Sequence, residues 1–273
     1  MRLGANSYGK SENRVVRVYR DTDRHVLRDL NVSTFLRGSF EEAHIAGDQK
    51  DVLPTDTQKN TAFAFAKEKG VGAIEDYALT LAHHFVETVP AVDDARVEVE
   101  EYPWERIGDH SFVRTGGGVR TTAVDVTADG ATVVSGVKDL VIMNTTGSEF
   151  HGFLKDRYTT LEETHDRILA TSLVATWEYA GLDVDWDASY AGIKAVVLER
   201  FVGIHSLALQ QTLYGMGEAV LHQHPEVRQI GFSAPNKHHF RVDLSPFGVE
   251  NNGEVFIAAD RPYGLIEATV VRD

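Results

Sequence analysis

With 273 residues, 42% hydrophobic and 25% charged, the chain has the make-up of a globular protein with one large core or two modest ones. Its 41 acidic against 27 basic side chains leave a formal charge of −14, which argues against a broad nucleic-acid footprint but not against a locally positive pocket for a small anion. There is no cysteine, so disulfides, cysteine-ligated zinc, iron–sulfur clusters and a thiol nucleophile are all excluded.

The opening MRLGANSYGK lacks the apolar stretch of a signal peptide, and no run of 18 apolar residues reads as a membrane span. Tyr8-Gly9-Lys10 precedes a first strand in which Val16 and Val18 alternate with Arg17 and Tyr19, and residues 32–40 read as a second. Thr55-Asp56 is most simply a helix N-cap, with a helix over 57–69 behind it. Ala73, Ile74, Tyr77, Ala78, Leu81 and Phe85 recur at helical spacing and predict a helix over 73–88. Strands follow around 97–100, 119–126 and 131–137, the last two flanking the turn pair Asp129-Gly130.

In the second half, Leu161, Thr164, Ile168 and Leu169 predict a helix over about 160–176, opened by a capping box from Thr159 to Glu162 or Thr160 to Glu163. Arg167 then lies on that helix, off its apolar stripe. A strand is expected at 194–202 and a helix at about 206–223, carried by Leu209, Leu213, Met216 and Val220. Strands at 229–233, 241–244, 254–258 and 265–271 complete the chain. Both halves carry a threonine-rich helix start and a similar order of elements. The expectation is an α+β protein of two tandem units, 1–137 and 138–273, each an antiparallel sheet with helices on one face. Such sheets leave open edges, and closing those of several subunits into a barrel would remove them and put ligand sites between subunits.

Residues able to do chemistry are scattered. Gly116-Gly117-Gly118 lacks the spacing of a phosphate loop, and neither GxSxG nor HExxH occurs. Of the 12 histidines, His83-His84, His222 with His224, and His238-His239 invite a metal. Adjacent histidines on a helix point about 100° apart, and on a strand they face opposite sides. No metal site is therefore predicted. Ser233 to Phe240 reads as a polar loop between strands, either a surface turn or a set of donors, acceptors and titrating groups. Taken singly, Lys10 and Arg167 read as solvated, Phe150 as core and Gln210 as helix surface.

Together the motifs say more. Tyr8-Gly9-Lys10, Thr55-Asp56 with Lys59-Asn60-Thr61, Phe150-x-Gly152-Phe153-Leu154-x-Asp156, Tyr158-Thr159-Thr160-Leu161 with Asp166-Arg167-Ile168-Leu169, and Pro235-Asn236-Lys237-His238 occur in this order. So do Asp243-Leu244-Ser245, Glu254-Val255-Phe256 and Gly264-Leu265-Ile266. In these strings the chain resembles the urate oxidase (uricase) family over nearly its whole length. The resemblance implies tandem tunnelling-fold units in a homotetramer around a barrel-lined tunnel. It implies oxidation of urate by dioxygen to 5-hydroxyisourate and hydrogen peroxide, with neither metal nor organic cofactor.

Carried over by motif, Phe150 stacks on the purine, Arg167 pairs with it, and Gln210 bonds its opposite side. Leu209, where the family commonly has Val, contributes a backbone group. Thr55 and Asp56 reach the substrate from a neighbouring subunit. Lys10, Thr55 and His238 form a catalytic proton relay, and Asn236 sits beside the oxygen site. His151 departs from the Trp that eukaryotic members often have. The ending Val271-Arg272-Asp273 is not a peroxisomal Ser-Lys-Leu signal, which fits a bacterial, cytoplasmic protein. Two alternatives stay open: a zinc-dependent tunnelling-fold enzyme acting on a pterin or guanine nucleotide, and a non-catalytic purine-binding protein. The second would keep Phe150, Arg167 and Gln210 but have no use for Lys10 and Thr55.

Overall fold

A computed structural model describes all 273 residues apart from the side chain of Asp260. The chain forms two compact units, one of Met1–Val137 with Trp177–Tyr190, the other of Lys138–Thr176 with Ala191–Asp273.

In the first unit the strands are β1 (Tyr8–Tyr19), β2 (Val26–Gly38), β3 (Val92–Glu101), β6 (Val119–Thr127) and the start of β7 (Gly130–Asn144), hydrogen-bonded in that order. The ladders from β1 through β6 are antiparallel. A small hairpin of β4 (Trp104–Arg106) and β5 (Phe112–Arg114) stands apart. The helices are α1 (Glu41–Ile45), α2 (Thr55–Glu68) and α3 (Ile74–Thr88). Alternation decides which side is covered: Ala95, Val97 and Val99 of β3 and Thr122, Val124 and Val126 of β6 are buried, with half-buried residues between. Against that face α3 turns Ile74, Tyr77, Ala78, Leu81 and Phe85. The Tyr77 hydroxyl donates to the Ala62 carbonyl (2.6 Å), tying α3 to α2, and burial raises its pKa.

One charged cluster lies inside this core. Glu75, fully buried at the start of α3, accepts from Arg120 of β6 (2.7 Å) and from the Ser135 hydroxyl of β7 (2.6 Å). Arg120 also bonds Asp187. Burial pushes the Glu75 carboxyl above its ordinary value, and the Arg120 charge and the Ser135 hydroxyl pull it part of the way back.

In the second unit the rest of β7 is followed by β8 (Leu169–Tyr179), β9 (Val227–Arg241) and β10 (Phe256–Val271), again neighbours in that order. Its helices are α4 (Trp186–Gly203), from Ala191 onward, and α5 (Leu209–Gln223), and α5 packs on β9 and β10. Strands β9 and β10 are antiparallel, with an irregularity between Ala259 and Gly264.

Several sequence expectations are overturned here. No helix spans 160–176: residues 165–168 are irregular and Leu169–Tyr179 is strand. Leu169, Thr171, Leu173, Ala175, Trp177 and Tyr179 are buried at every second position, a strand period. Thr159 caps no helix; it closes a turn in which the Asp156 carboxylate accepts from the Tyr158 N–H and the Thr159 hydroxyl (both 2.9 Å). The strand expected at 194–202 is helix α4, in which Trp186, Ser189, Ile193, Val196, Val197 and Phe201 are buried at spacings of three and four. Asp185 opens it, its carboxylate accepting the Ala188 N–H (3.1 Å). The segment 233–240 is not a loop but the C-terminal half of β9. Thr55 and Asp56 are the first helical residues of α2, with Pro54 at the cap and no side-chain cap bond. With these changes the two halves match more closely than the sequence indicated. The chain reads β1-β2-α2-α3-β3-β6 and then β7-β8-α4-α5-β9-β10, with α1 and the β4–β5 hairpin as insertions.

Candidate active site

In the first unit, Lys10 stands on β1 opposite Thr34 of β2, just before a break in register at Asn13 where Glu12 has φ 58°. The two strands come unusually close here: a Cβ on Gly9 would lie 1.7 Å from the Thr34 carbonyl oxygen. Thr34 donates to the Gln58 side chain (2.8 Å), and both residues are fully buried. Gln58 lies one turn beyond Thr55, so the same link that fixes β2 beside Lys10 also fixes the start of α2. Asp56 is exposed and bonds Lys59 and, at 3.0 Å, Asn60. Lys59 chiefly holds the Asp56 carboxyl below its ordinary value, and the charge of Lys10 adds to the effect. Lys10, Thr55 and Asp56 therefore form one polar neighbourhood. Beside it a cavity of about 610 Å³ is lined by Tyr8, Phe40, His44, Val52, Pro54 and Thr55.

In the second unit, Phe150 and Arg167 meet. Phe150 exchanges backbone hydrogen bonds with Thr164 (2.8 and 2.9 Å), an isolated antiparallel bridge. Arg167 donates its N–H to the Ser148 carbonyl (2.8 Å) and its Nε to the Ser148 hydroxyl (3.4 Å). Its guanidinium carbon lies 5.1 Å from the centre of the Phe150 ring, whose other neighbour is Phe153, stacked at 4.9 Å. Burial makes the charged guanidinium more costly and lowers its pKa. The same loop is pinned to the start of α5: Ser148 bridges Ser206, the Glu149 N–H donates to the Ser206 carbonyl (2.7 Å), and Thr212 donates to the Ser206 hydroxyl (2.8 Å). Leu209 and Gln210 are the first two residues of α5, Leu209 buried and Gln210 exposed. An aromatic face, a guanidinium and a helix N-terminus thus gather in one place, a combination suited to a flat anion.

Asn236 and His238 form a third group, two residues apart and so on one face of β9, paired with Gly264 and Ala259 of β10. The His238 ring stacks near Phe240 at 5.8 Å.

Two members of the histidine pairs weighed from sequence have other partners. His84 packs on Phe65, and His224 faces Glu226 at 2.9 Å. A cluster that sequence reading missed surrounds Glu149. His151 Nε2 lies 2.9 Å and His165 Nδ1 3.5 Å from one carboxylate oxygen, and His205 Nε2 bonds the other. His205 first, then the other two, hold the Glu149 carboxyl below its ordinary value. Only the spacing Glu149-x-His151 hinted at it. His165 arrives through the Phe150–Thr164 bridge, and His205 from a turn distant in the chain.

A family model described as Uricase matches residues 6–125 and 133–267. The uricase of Arthrobacter globiformis is 51% identical over 273 residues, covering 99% of this chain and 90% of its own. That of Oryctolagus cuniculus is 37% identical over 278 residues, covering 97% and 93%. The crystal structure of the Arthrobacter globiformis uricase superposes with a TM-score of 0.97 at 51% identity, over 100% of this chain and 96% of that one. A uricase structure from Bacillus fastidious, 22% identical, shares the fold with a TM-score of 0.84 over 97% and 93%.

Proposed function

The chain belongs to the uricase family and is a urate oxidase with the tunnelling fold, and on that premise we propose that it oxidises urate with dioxygen without metal or organic cofactor, at a site shared between subunits. The observation that carries this reading is the Arg167 guanidinium beside the Phe150 ring, on a loop pinned to the start of α5. Phe150 offers an apolar face to the flat purine. Arg167 pairs with its anionic edge as a planar fork. The backbone of Leu209 and the side chain of Gln210 meet the opposite edge. Thr55 and Asp56 come from a neighbouring subunit.

Ground-state dioxygen reacts poorly with closed-shell molecules, so with no cofactor the substrate must itself be the electron donor. Removing a proton from urate makes it a better one. Lys10 is the base, the Thr55 hydroxyl passes the proton, and His238 completes the relay. Arg167 stabilises the added negative charge, and Asn236 flanks the oxygen. Two electrons leave urate for dioxygen, which becomes hydrogen peroxide, and water supplies the hydroxyl of 5-hydroxyisourate.

The tandem tunnelling units are 1–137 and 138–273. Subunits close their sheets into a barrel-like tunnel as a homotetramer in the bacterial cytoplasm. Exposed apolar side chains on the outermost strands support the assembly: Val16 on β1, and Ile257, Leu265 and Val271 on β10. Among the described residues, no helix is long and apolar enough to cross a membrane.

The test follows urate absorbance, oxygen uptake and peroxide release together in the presence of a strong chelator. Stoichiometric, chelator-resistant turnover is expected. Loss of turnover on chelation would overturn the metal-free chemistry.

A further inference from the structure

We propose that Glu149, His151 and His165, with His205 holding the second carboxylate oxygen of Glu149, bind one divalent transition-metal ion, at a site that takes no part in the oxidation. The ligand atoms of the first three lie within 4.8 Å of one another. A tetrahedral ion about 2.0 Å from each donor spaces its ligands about 3.3 Å apart. The 2.9 and 3.5 Å separations from Glu149 already bracket that distance. His151 and His165 are exposed, and their rings sit 4.5 Å apart, so small rotations bring the donors together.

The backbone explains the convergence. In the antiparallel bridge Phe150–Thr164, the residue before Phe150 opposes the residue after Thr164. Glu149 therefore faces His165, and His151, two residues on, shares its side. Glu149 is also fixed by its N–H to the Ser206 carbonyl, which brings His205 to the second carboxylate oxygen. Three imidazoles around one carboxylate exceed what a simple ion pair needs. Imidazole and carboxylate donors suit zinc, copper or nickel, whereas calcium and magnesium prefer all-oxygen sites.

The ion staples three segments: residues 149–151, residue 165, and the turn before α5. Phe150 lies inside the staple and Leu209 and Gln210 just beyond it. Occupancy therefore adds to the stability of this region and supplies no group to the oxidation.

The probe is Zn2+. Purified full-length protein, stripped with chelator, is dialysed to equilibrium against zinc, and bound metal is counted by mass spectrometry alongside the melting temperature. One zinc per chain and a higher Tm are expected. The double variant His151→Ala/His165→Ala should weaken binding more than about a hundredfold and lose the Tm response. Glu149→Gln, similar in shape, should weaken it as well. His222→Ala, on α5 away from the cluster, should bind as the parent does. Retention of zinc by the double variant, or none bound by the parent, overturns the proposal. Metal is counted directly, so the outcome is independent of urate turnover and of the cofactor-free reading above.

Discussion

The Arg167 side chain is half-buried and braced by Ser148 on its Nε side, which aims its planar fork rather than leaving it to solvent. Arg167→Ala should raise the KM for urate by about 10- to 100-fold, the loss of a charge-assisted bond of about 1.5–3 kcal/mol. Arg167→Lys should recover only part of it, because an ammonium cannot bond two atoms of a planar edge at once. An unchanged KM in steady-state kinetics would refute the contact. Lys10→Ala should instead lower kcat by about 10²–10⁴-fold and leave KM near the parent value. Parallel losses in both would remove Lys10 from the relay. Neither role is legible from composition or spacing, since a single lysine before a strand looks solvated and an arginine near Ile168 looks like helix surface. Only the motif strings, matched as wholes, pick these residues out. The Glu149 cluster escaped even that, because its members meet through a bridge and a turn that no local pattern announces.

At the scale of elements, the buried pair of Glu75 and Arg120 joins α3 to β6. Arg120→Met should cost about 3–5 kcal/mol, since it leaves a buried carboxyl without its partner. The pH dependence has a definite sign. A carboxyl raised in the folded state holds a proton that the unfolded chain releases. Without Arg120 the variant should therefore lose stability as pH rises above the ordinary glutamate range. Denaturant midpoints compared at about pH 5 and pH 8 check this, and a midpoint that rises with pH would contradict it. Asp185→Ala should cost a further ~1 kcal/mol by uncapping α4.

Elements with a clean period were legible: α3, α5 and the β6–β7 hairpin lie where their apolar spacing puts them. Strand β8 and helix α4 were exchanged. The buried face of β8 includes Thr171 and Ala175, too small or polar to mark a period of two, while Ile168 and Leu169 mimic a helical pair. In α4, Val196 and Val197 look like strand, and tertiary packing on the helical stripe from Trp186 to Phe201 overrides that preference. The N-cap Asp185 was the available signal.

For the molecule as a whole, the doubled β-β-α-α-β-β order leaves β1 and β10 as outermost strands with apolar side chains facing outward. If Lys10, Thr55 and Asp56 serve a site whose Phe150 and Arg167 belong to another chain, two crippled variants should rescue each other. Equal co-expression of Lys10→Ala and Arg167→Ala chains should restore about a quarter of parental turnover, the fraction of interfaces holding both native residues. Rescue that never exceeds the sum of the separate variants would mean that each chain works alone. Where Gly9 meets the Thr34 carbonyl, a hydrogen atom is all the side chain that the backbone admits, while Ser11 two positions on is exposed. A saturation library selected for urate clearance should then return a single amino acid at codon 9 and many at codon 11. Along this strand, tolerance to mutation steps from none to broad within two positions, and a deep mutational scan would draw that step.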